Sequence, residues 1–197
     1  MQIIAGTFKN RPITTPKGLK TRPTSGRLRE TLFNICQNDI DSAHFLDLFA
    51  GSGAMGLEAI SRGAASSTLV DNSKESIRCI QNNARILQVE SHTDIIYGDV
   101  FEVLVKLAKR GKVYDIIYAD PPYDTIQKDD TEEHSYSAQV LKFIDGHNHL
   151  LKAGGSLFLE DAVTALPENE TLHNLTLKSS RRMGRSSLQH YIVKDVS

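Results

Sequence analysis

Long apolar runs are missing from this sequence of 197 residues. No stretch approaches the roughly 18 consecutive apolar residues of a membrane-spanning helix. The opening MQIIAGTFKN has no basic segment followed by a long apolar one, so a signal peptide is not expected and a cytoplasmic location is. Cysteine is scarce: Cys36 and Cys79 form no metal-binding pattern and read as reduced structural thiols. His147 and His149 make one H-x-H without acid or thiol partners, which reads as surface, and no metal is expected. What remains is an ordinary globular composition, 40% hydrophobic and 24% charged.

Net charge is also nearly absent, at −1, but it is unevenly spread. Residues 1–31 hold Lys9, Arg11, Lys17, Lys20, Arg22, Arg27 and Arg29 against the single acid Glu30. Residues 178–197 hold Lys178, Arg181, Arg182, Arg185 and Lys194 against Asp195. Two basic ends flank an acidic body. Basic patches of this kind are the electrostatic footprint of nucleic-acid binding, though scattered solvated cations give the same count.

QIIAGTF and RPITTP read as short strands of an N-terminal hairpin. With the loop that follows, they form an expected extension over residues 1–24. The main domain is expected over 25–197. RLRETLFNICQNDI has the apolar spacing of a helix, with Ser25 placed to cap it. Strands and helices then alternate: HFLDLFA, AMGLEAISRGA, SSTLVDN, SKESIRCIQNNARILQV, TDIIYGD, VFEVLVKLAKRG, YDIIYAD, a helix over about 138–147, and GSLFLED. This succession predicts a doubly wound α/β, Rossmann-like sheet that is mostly parallel and covered on both faces. ETLHNLTLKSS and SSLQHYIVK alternate around RRMGRS, which predicts a terminal antiparallel hairpin. The polar, mostly acidic stretch 124–137 reads as a loop at the C-terminal edge of the sheet.

Two motifs carry chemistry. LDLFAGSGAMG sets Gly51, Gly53 and Gly56 between a strand and a helix, a pattern that lets a ligand lie against the backbone. Asp71 follows at the end of the next strand, where a carboxylate can accept from both ribose hydroxyls of an adenosine. That alone does not separate NAD from S-adenosylmethionine. Asp47, just before the glycines, would repel a pyrophosphate but suits an ammonium group. Asp99 is placed to accept an adenine amine. Asp47 and Asp99 could instead cap the segments that follow them.

The second motif is Asp120-Pro121-Pro122-Tyr123, closing the fourth strand beside the first. The lone pair of an exocyclic base amine is conjugated into its ring, which makes it a poor nucleophile. Two acceptors holding its N–H groups favour a pyramidal nitrogen. The Asp120 carboxylate and the Pro121 carbonyl are those acceptors, and Tyr123 offers a flat face for the base, worth roughly 1–3 kcal/mol. In-line methyl transfer helped mainly by orientation follows.

FLDLFAGSGAMGLEAISRGA, DPPY and the upstream TRPTSGRLRETLFNIC together resemble the bacterial RsmD family of 16S ribosomal RNA guanine-N2 methyltransferases. The likeness is close over about residues 1–123 and looser in the C-terminal hairpin. It implies a class I S-adenosyl-L-methionine-dependent fold and N2-methylguanine formation in 16S ribosomal RNA, on an assembling 30S subunit, by a monomer. Carried across by motif, Asp120, Pro121 and Tyr123 would act on the target amine. Asp47, Ala50, Gly51, Ser52, Gly53, Asp71, Asn72, Asp99 and Val100 would hold the cofactor. Arg22, Thr24, Arg27, Arg29, Pro122, Arg182 and Arg185 would touch the RNA. Asp71 stands where the family often has glutamate, and the loop after Tyr123 is longer and more acidic than usual.

Other readings share the motifs. DPPY suits any exocyclic amine, so a DNA adenine-N6 methyltransferase is a rival, although 197 residues leave no separate target-recognition domain. Methylation of a protein glutamine amide more often carries Asn where Asp120 stands. A non-catalytic RNA-binding assembly factor would be expected to have lost Asp120 or Gly51.

Overall fold

Successive residues of the central strands are apolar with hardly a polar break, the composition of strands buried on both faces. The computed structural model describes residues 1–16, 26–122, 135–162, 172–184 and 186–194, the side chains of 161 and 162 excepted. In it β1 (His44–Leu48), β2 (Ser66–Asp71), β3 (Thr93–Tyr97), β4 (Tyr114–Ala119) and β5 (Leu151–Ala162) run parallel. β6 (Leu175–Met183) and β7 (Ser186–Val193) form the terminal antiparallel hairpin. The strand order is β3-β2-β1-β4-β5-β7-β6, so β7 pairs antiparallel with β5 and β6 is the edge. The expected doubly wound sheet with its C-terminal hairpin is present.

Alternation sorts the strand side chains onto two faces. Phe45, Ile116, Tyr118 and Phe158 join one core with α1 (Gly26–Ile35), α2 (Ala54–Ser61) and the end of α3 (Lys74–Leu87). Leu46, Leu48, Ile117, Ala119, Leu157 and Leu159 join the other with α4 (Val100–Lys109) and α5 (Tyr136–Gly146). Every residue of α2 is buried, because it lies under both the sheet and the N-terminal segment. No helix among the described residues is long and apolar enough to cross a membrane.

Several boundaries differ from the sequence reading: α1 stops at Ile35 rather than Ile40, and β6 runs on through Arg181, Arg182 and Met183, which were expected in the turn. The N-terminal hairpin is reduced to one bridge, Gln2 to Pro12, with Gly6 and Asn10 at positive φ. The N–H groups of Ile4 and Ala5 are drawn to the carboxylate of Glu58 on α2, at 2.8 and 2.9 Å, so they do not extend a ladder. Ile3 and Ile13 sit in the same core as α1 and α2. α5 starts two residues early because the Ser135 hydroxyl accepts from the Ala138 N–H at 3.2 Å. β5 begins at Leu151, ahead of the expected glycines, with a register shift opposite Tyr114 and Ile116. Ser25 and residues 124–134 lie outside the described residues.

Candidate active site at the carboxyl ends of β1, β2, β3 and β4

The order reverses between β1 and β4, which places a crevice at the carboxyl ends of those two strands. Leu48 is in register with Val70 on one side and Ala119 on the other. The residues that follow, Phe49 to Gly53, Asp71 and Asp120, therefore leave the sheet side by side. Asp71 is in turn paired with Tyr97, two residues before Asp99. The topology thus brings the glycine loop, the Asp120-Pro121-Pro122 segment and the acids Asp71 and Asp99 to one edge.

The three glycines do different work. Gly51 has φ 57°, and a side chain there would meet nothing within 4 Å among the described residues, so its backbone borders open space there. A Cβ at Gly53 would press on Leu69 and Ile80 at 3.1 and 3.2 Å. One at Gly56 would lie 2.3 Å from the Ser67 hydroxyl oxygen. Gly51 is the member with room beside its backbone; Gly53 and Gly56 permit close packing against β2 and, at Gly53, α3. Phe49 also has a positive φ, 62°, so the chain turns sharply before Ala50.

The loop is tied from several sides. Asp71 accepts the Gly51 N–H at 2.8 Å through one oxygen and the Ser73 N–H at 2.8 Å through the other. Asn83 on α3 donates to the Ser52 carbonyl at 2.9 Å and to the Thr14 carbonyl at 3.0 Å. Asp99 caps α4, accepting from the N–H groups of Phe101 and Glu102 at 2.9 and 3.2 Å. Asn72 is exposed, Val100 and Ala50 are buried, and Ser52 is half-buried.

Asp47 is 1% exposed and accepts the Gly56 N–H at 2.9 Å, holding the start of α2. Burial pushes its carboxyl up from an ordinary 3.8 to about 7, against the Gly56 hydrogen bond and with a smaller upward push from Asp71. The unfolded chain loses this proton near its ordinary value, whereas the folded chain keeps it until about pH 7. Between those values the folded state binds the extra proton, so Asp47 contributes less stability as pH rises through the window. Asp47→Asn should melt close to the parent at about pH 4 and increasingly above it up to about pH 7. Melting curves across that range check this; a constant difference would mean that the carboxyl ionises normally.

Asp120 is half-buried at the end of β4, Pro121 is buried and Pro122 exposed. Arg27 and Arg182 are exposed on the surface, the latter donating to the Gly184 carbonyl at 3.2 Å. Arg22, Thr24, Tyr123 and Arg185 lie outside the described residues. Arg29 requires a correction. It is 3% exposed, 3.4 Å from Glu58, and donates to the Gln2 carbonyl at 3.1 Å. A guanidinium enclosed in this way cannot reach a phosphate. It sits three and four residues before Leu32 and Phe33, on the buried face of α1.

Three features were not anticipated. Glu58, fully buried, gathers Arg29, Arg62 and two main-chain N–H groups. Phe49, Phe101 and Tyr136 cluster with ring centroids 6.2 Å apart for each contact through Tyr136. Glu160 on β5 accepts from the hydroxyls of Ser186 and Tyr118 at 2.7 and 3.3 Å. An acid inside the apolar helix AMGLEAIS was the available signal for Glu58; an acid ending the strand GSLFLE was the signal for Glu160.

Residues 1–192 match the model of the family described as conserved hypothetical protein 95. A Bacillus subtilis (strain 168) protein named "Putative rRNA methyltransferase YlbH" is 31% identical over 191 residues, 97% of this chain and 98% of its own. "Ribosomal RNA small subunit methyltransferase D" of Escherichia coli (strain K12) is 30% identical over 178 residues, 88% of this chain and 82% of its own. The solved structure titled "Putative methyltransferase yhhF from Escherichia coli" superposes with a TM-score of 0.78 at 27% identity, covering 98% of both chains. The sheet order and the terminal hairpin are those of a Rossmann-like class I methyltransferase fold. On the match over nearly its whole length, the chain belongs to the conserved hypothetical protein 95 family, the family of RsmD.

Proposed function

We propose that this protein transfers a methyl group from S-adenosyl-L-methionine to ribosomal RNA, at the N2 amine of a guanine in 16S ribosomal RNA of an assembling small subunit. The observation that carries this reading is the arrangement at the switch point: the Asp120-Pro121-Pro122 end of β4 adjoins a glycine loop whose Gly51 borders open space. An amine held at the first can meet a donor lying on the second. The names of the relatives, methyltransferases of ribosomal RNA, support the substrate class.

The residues fit the cofactor. On this reading Gly51 would leave room for it, Asp71 would accept from its ribose hydroxyls, and Asp99 with the main chain at Val100 would read its adenine. When bound, the cofactor supplies an electrophilic methyl on a sulfonium. Asp120 and the Pro121 carbonyl accept the two N–H bonds of the amine and turn its lone pair outward. Asp120, or water, would take the proton that the amine loses on methylation. Arg27 and Arg182, both exposed, would contact phosphates around the site. The target base must be presented from a loop or drawn from its stack to reach this edge.

Tritiated methyl transfer to unmodified small subunits, naked 16S ribosomal RNA and plasmid DNA tests the reading, with mass mapping of the modified nucleoside. N2-methylguanosine in 16S ribosomal RNA is the expected product. Label in DNA alone, or N6-methyladenosine, would replace it with the adenine reading; no turnover on any substrate would leave an RNA-binding assembly factor.

A further inference from the structure

We infer that Glu160 is the residue that tells guanine from adenine at this site, by accepting the guanine N1–H while Asp120 holds the neighbouring N2 amine. The inference rests on the guanine-N2 reading and adds the chemical basis of its selectivity.

The placement comes from the register. Ala119, the last residue of β4, is paired with Leu159 of β5, so Asp120 follows just beyond β4 while Glu160 continues β5 beside it. Such strands lie about 4.8 Å apart. That is the scale on which two side chains can grip adjacent donors of one base edge. Glu160 is only half-buried, at the same carboxyl edge as the glycine loop.

Its orientation is fixed from both sides. The Tyr118 hydroxyl, on the neighbouring strand, approaches one carboxylate oxygen at 3.3 Å. The Ser186 hydroxyl, at the start of β7, approaches the other at 2.7 Å. The Ser137 hydroxyl adds a bond to the Glu160 carbonyl at 3.4 Å. Donation by Tyr118 and Ser186 keeps the carboxylate an acceptor.

The discrimination follows from the two base edges. Guanine presents N1–H and the 2-amine side by side, two donors for two carboxylates. Adenine presents its 6-amine beside N1, which is an acceptor. With the adenine amine on Asp120, a fixed carboxylate would face the N1 lone pair, and the two acceptors repel. A site built to take a hydrogen bond rejects a ligand that cannot give it, because its own polar group is left unmatched.

The test uses 16S ribosomal RNA, ligated to carry either guanine or 2-aminopurine at the mapped target and assembled into subunits. 2-Aminopurine keeps the 2-amine, but its N1 is an acceptor. For the parent protein, kcat/KM should fall about 10- to 100-fold on 2-aminopurine, as for a lost hydrogen bond to a charged group. In Glu160→Gln the side-chain amide can donate to that N1, so the penalty should shrink to a few-fold while guanine itself becomes the poorer substrate. Ser186→Ala, which only frees the carboxylate, should give an intermediate ratio and serves if Glu160→Gln does not fold. A penalty unchanged in both variants, or equal losses on both bases, would make Glu160 merely structural and overturn the inference. Failure of the parent on guanine subunits would instead overturn the function reading itself.

Discussion

Asp120→Ala should bind S-adenosyl-L-methionine within a few-fold of the parent and yet transfer methyl at least about a thousandfold more slowly, because orientation is the main thing this site supplies. Asp120 leaves β4 beside the glycine loop, but the groups that tie that loop are elsewhere: Asp71 on Gly51, Asn83 on Ser52, Asp47 on Gly56. Removing the Asp120 carboxylate therefore spares the cofactor cradle. On the proposed mechanism it removes one of two acceptors that would turn an amine lone pair toward the methyl. Without it the nitrogen relaxes to its flat, conjugated form and the Pro121 carbonyl alone does not fix its direction. Calorimetric titration of the cofactor and single-turnover transfer to subunits separate the two effects. A variant that turns over at near-parental rate would remove Asp120 from the mechanism. One that loses cofactor binding in proportion to rate would move Asp120 into the cradle.

The site's location was legible in the sequence because it depends on local order. Glycines after the first strand, an acid after the second, an acid after the third and DPPY after the fourth all sit at strand ends, and a parallel sheet collects strand ends at one edge. Side-chain direction was less legible. In β1, Asp47 lies between Leu46 and Leu48 on a strand covered on both faces, so its acid is buried whichever way it points. It meets the start of α2 first. The family resemblance placed Arg29 among the RNA-facing cations, yet its spacing to Leu32 and Phe33 already put it on the helix face that packs inward. Glu160 escaped notice because its importance comes from a neighbour 40 residues earlier, through a pairing that only the fold supplies. The N-terminal hairpin was half legible: its turn residues were visible, but the carboxylate that takes its N–H groups lies on α2, 54 residues from Ile4.

That carboxylate is the basis of the second large expected effect. Glu58→Ala should destabilise the protein by about 3–5 kcal/mol, the usual cost of removing one partner of a buried charge pair. For a chain of this size the melting temperature would drop by roughly 10 °C. The reasons are local. Glu58 is 0% exposed and accepts from Ile4, Ala5, Arg29 and Arg62, so its loss strands two main-chain N–H groups and an enclosed guanidinium. Arg29 is already incompletely satisfied: its Nε is buried with no hydrogen-bond partner among the described residues, and burial pulls its pKa down against the pull of Glu58. Arg62 keeps a second contact, 4.7 Å over the Phe33 ring, and is the less affected of the two. Arg29→Ala should therefore lower the melting temperature too, while the salt dependence of RNA binding, measured well below that temperature, stays at the parental slope. Arg27→Ala should do the reverse: a stability change within about 0.5 kcal/mol, and a binding slope against salt reduced by somewhat under one phosphate contact. If Arg29→Ala flattened the salt dependence and left melting unchanged, the guanidinium would have to leave its pocket to meet RNA. The Glu58 clamp would then be a resting position rather than the fastening of the N-terminal segment.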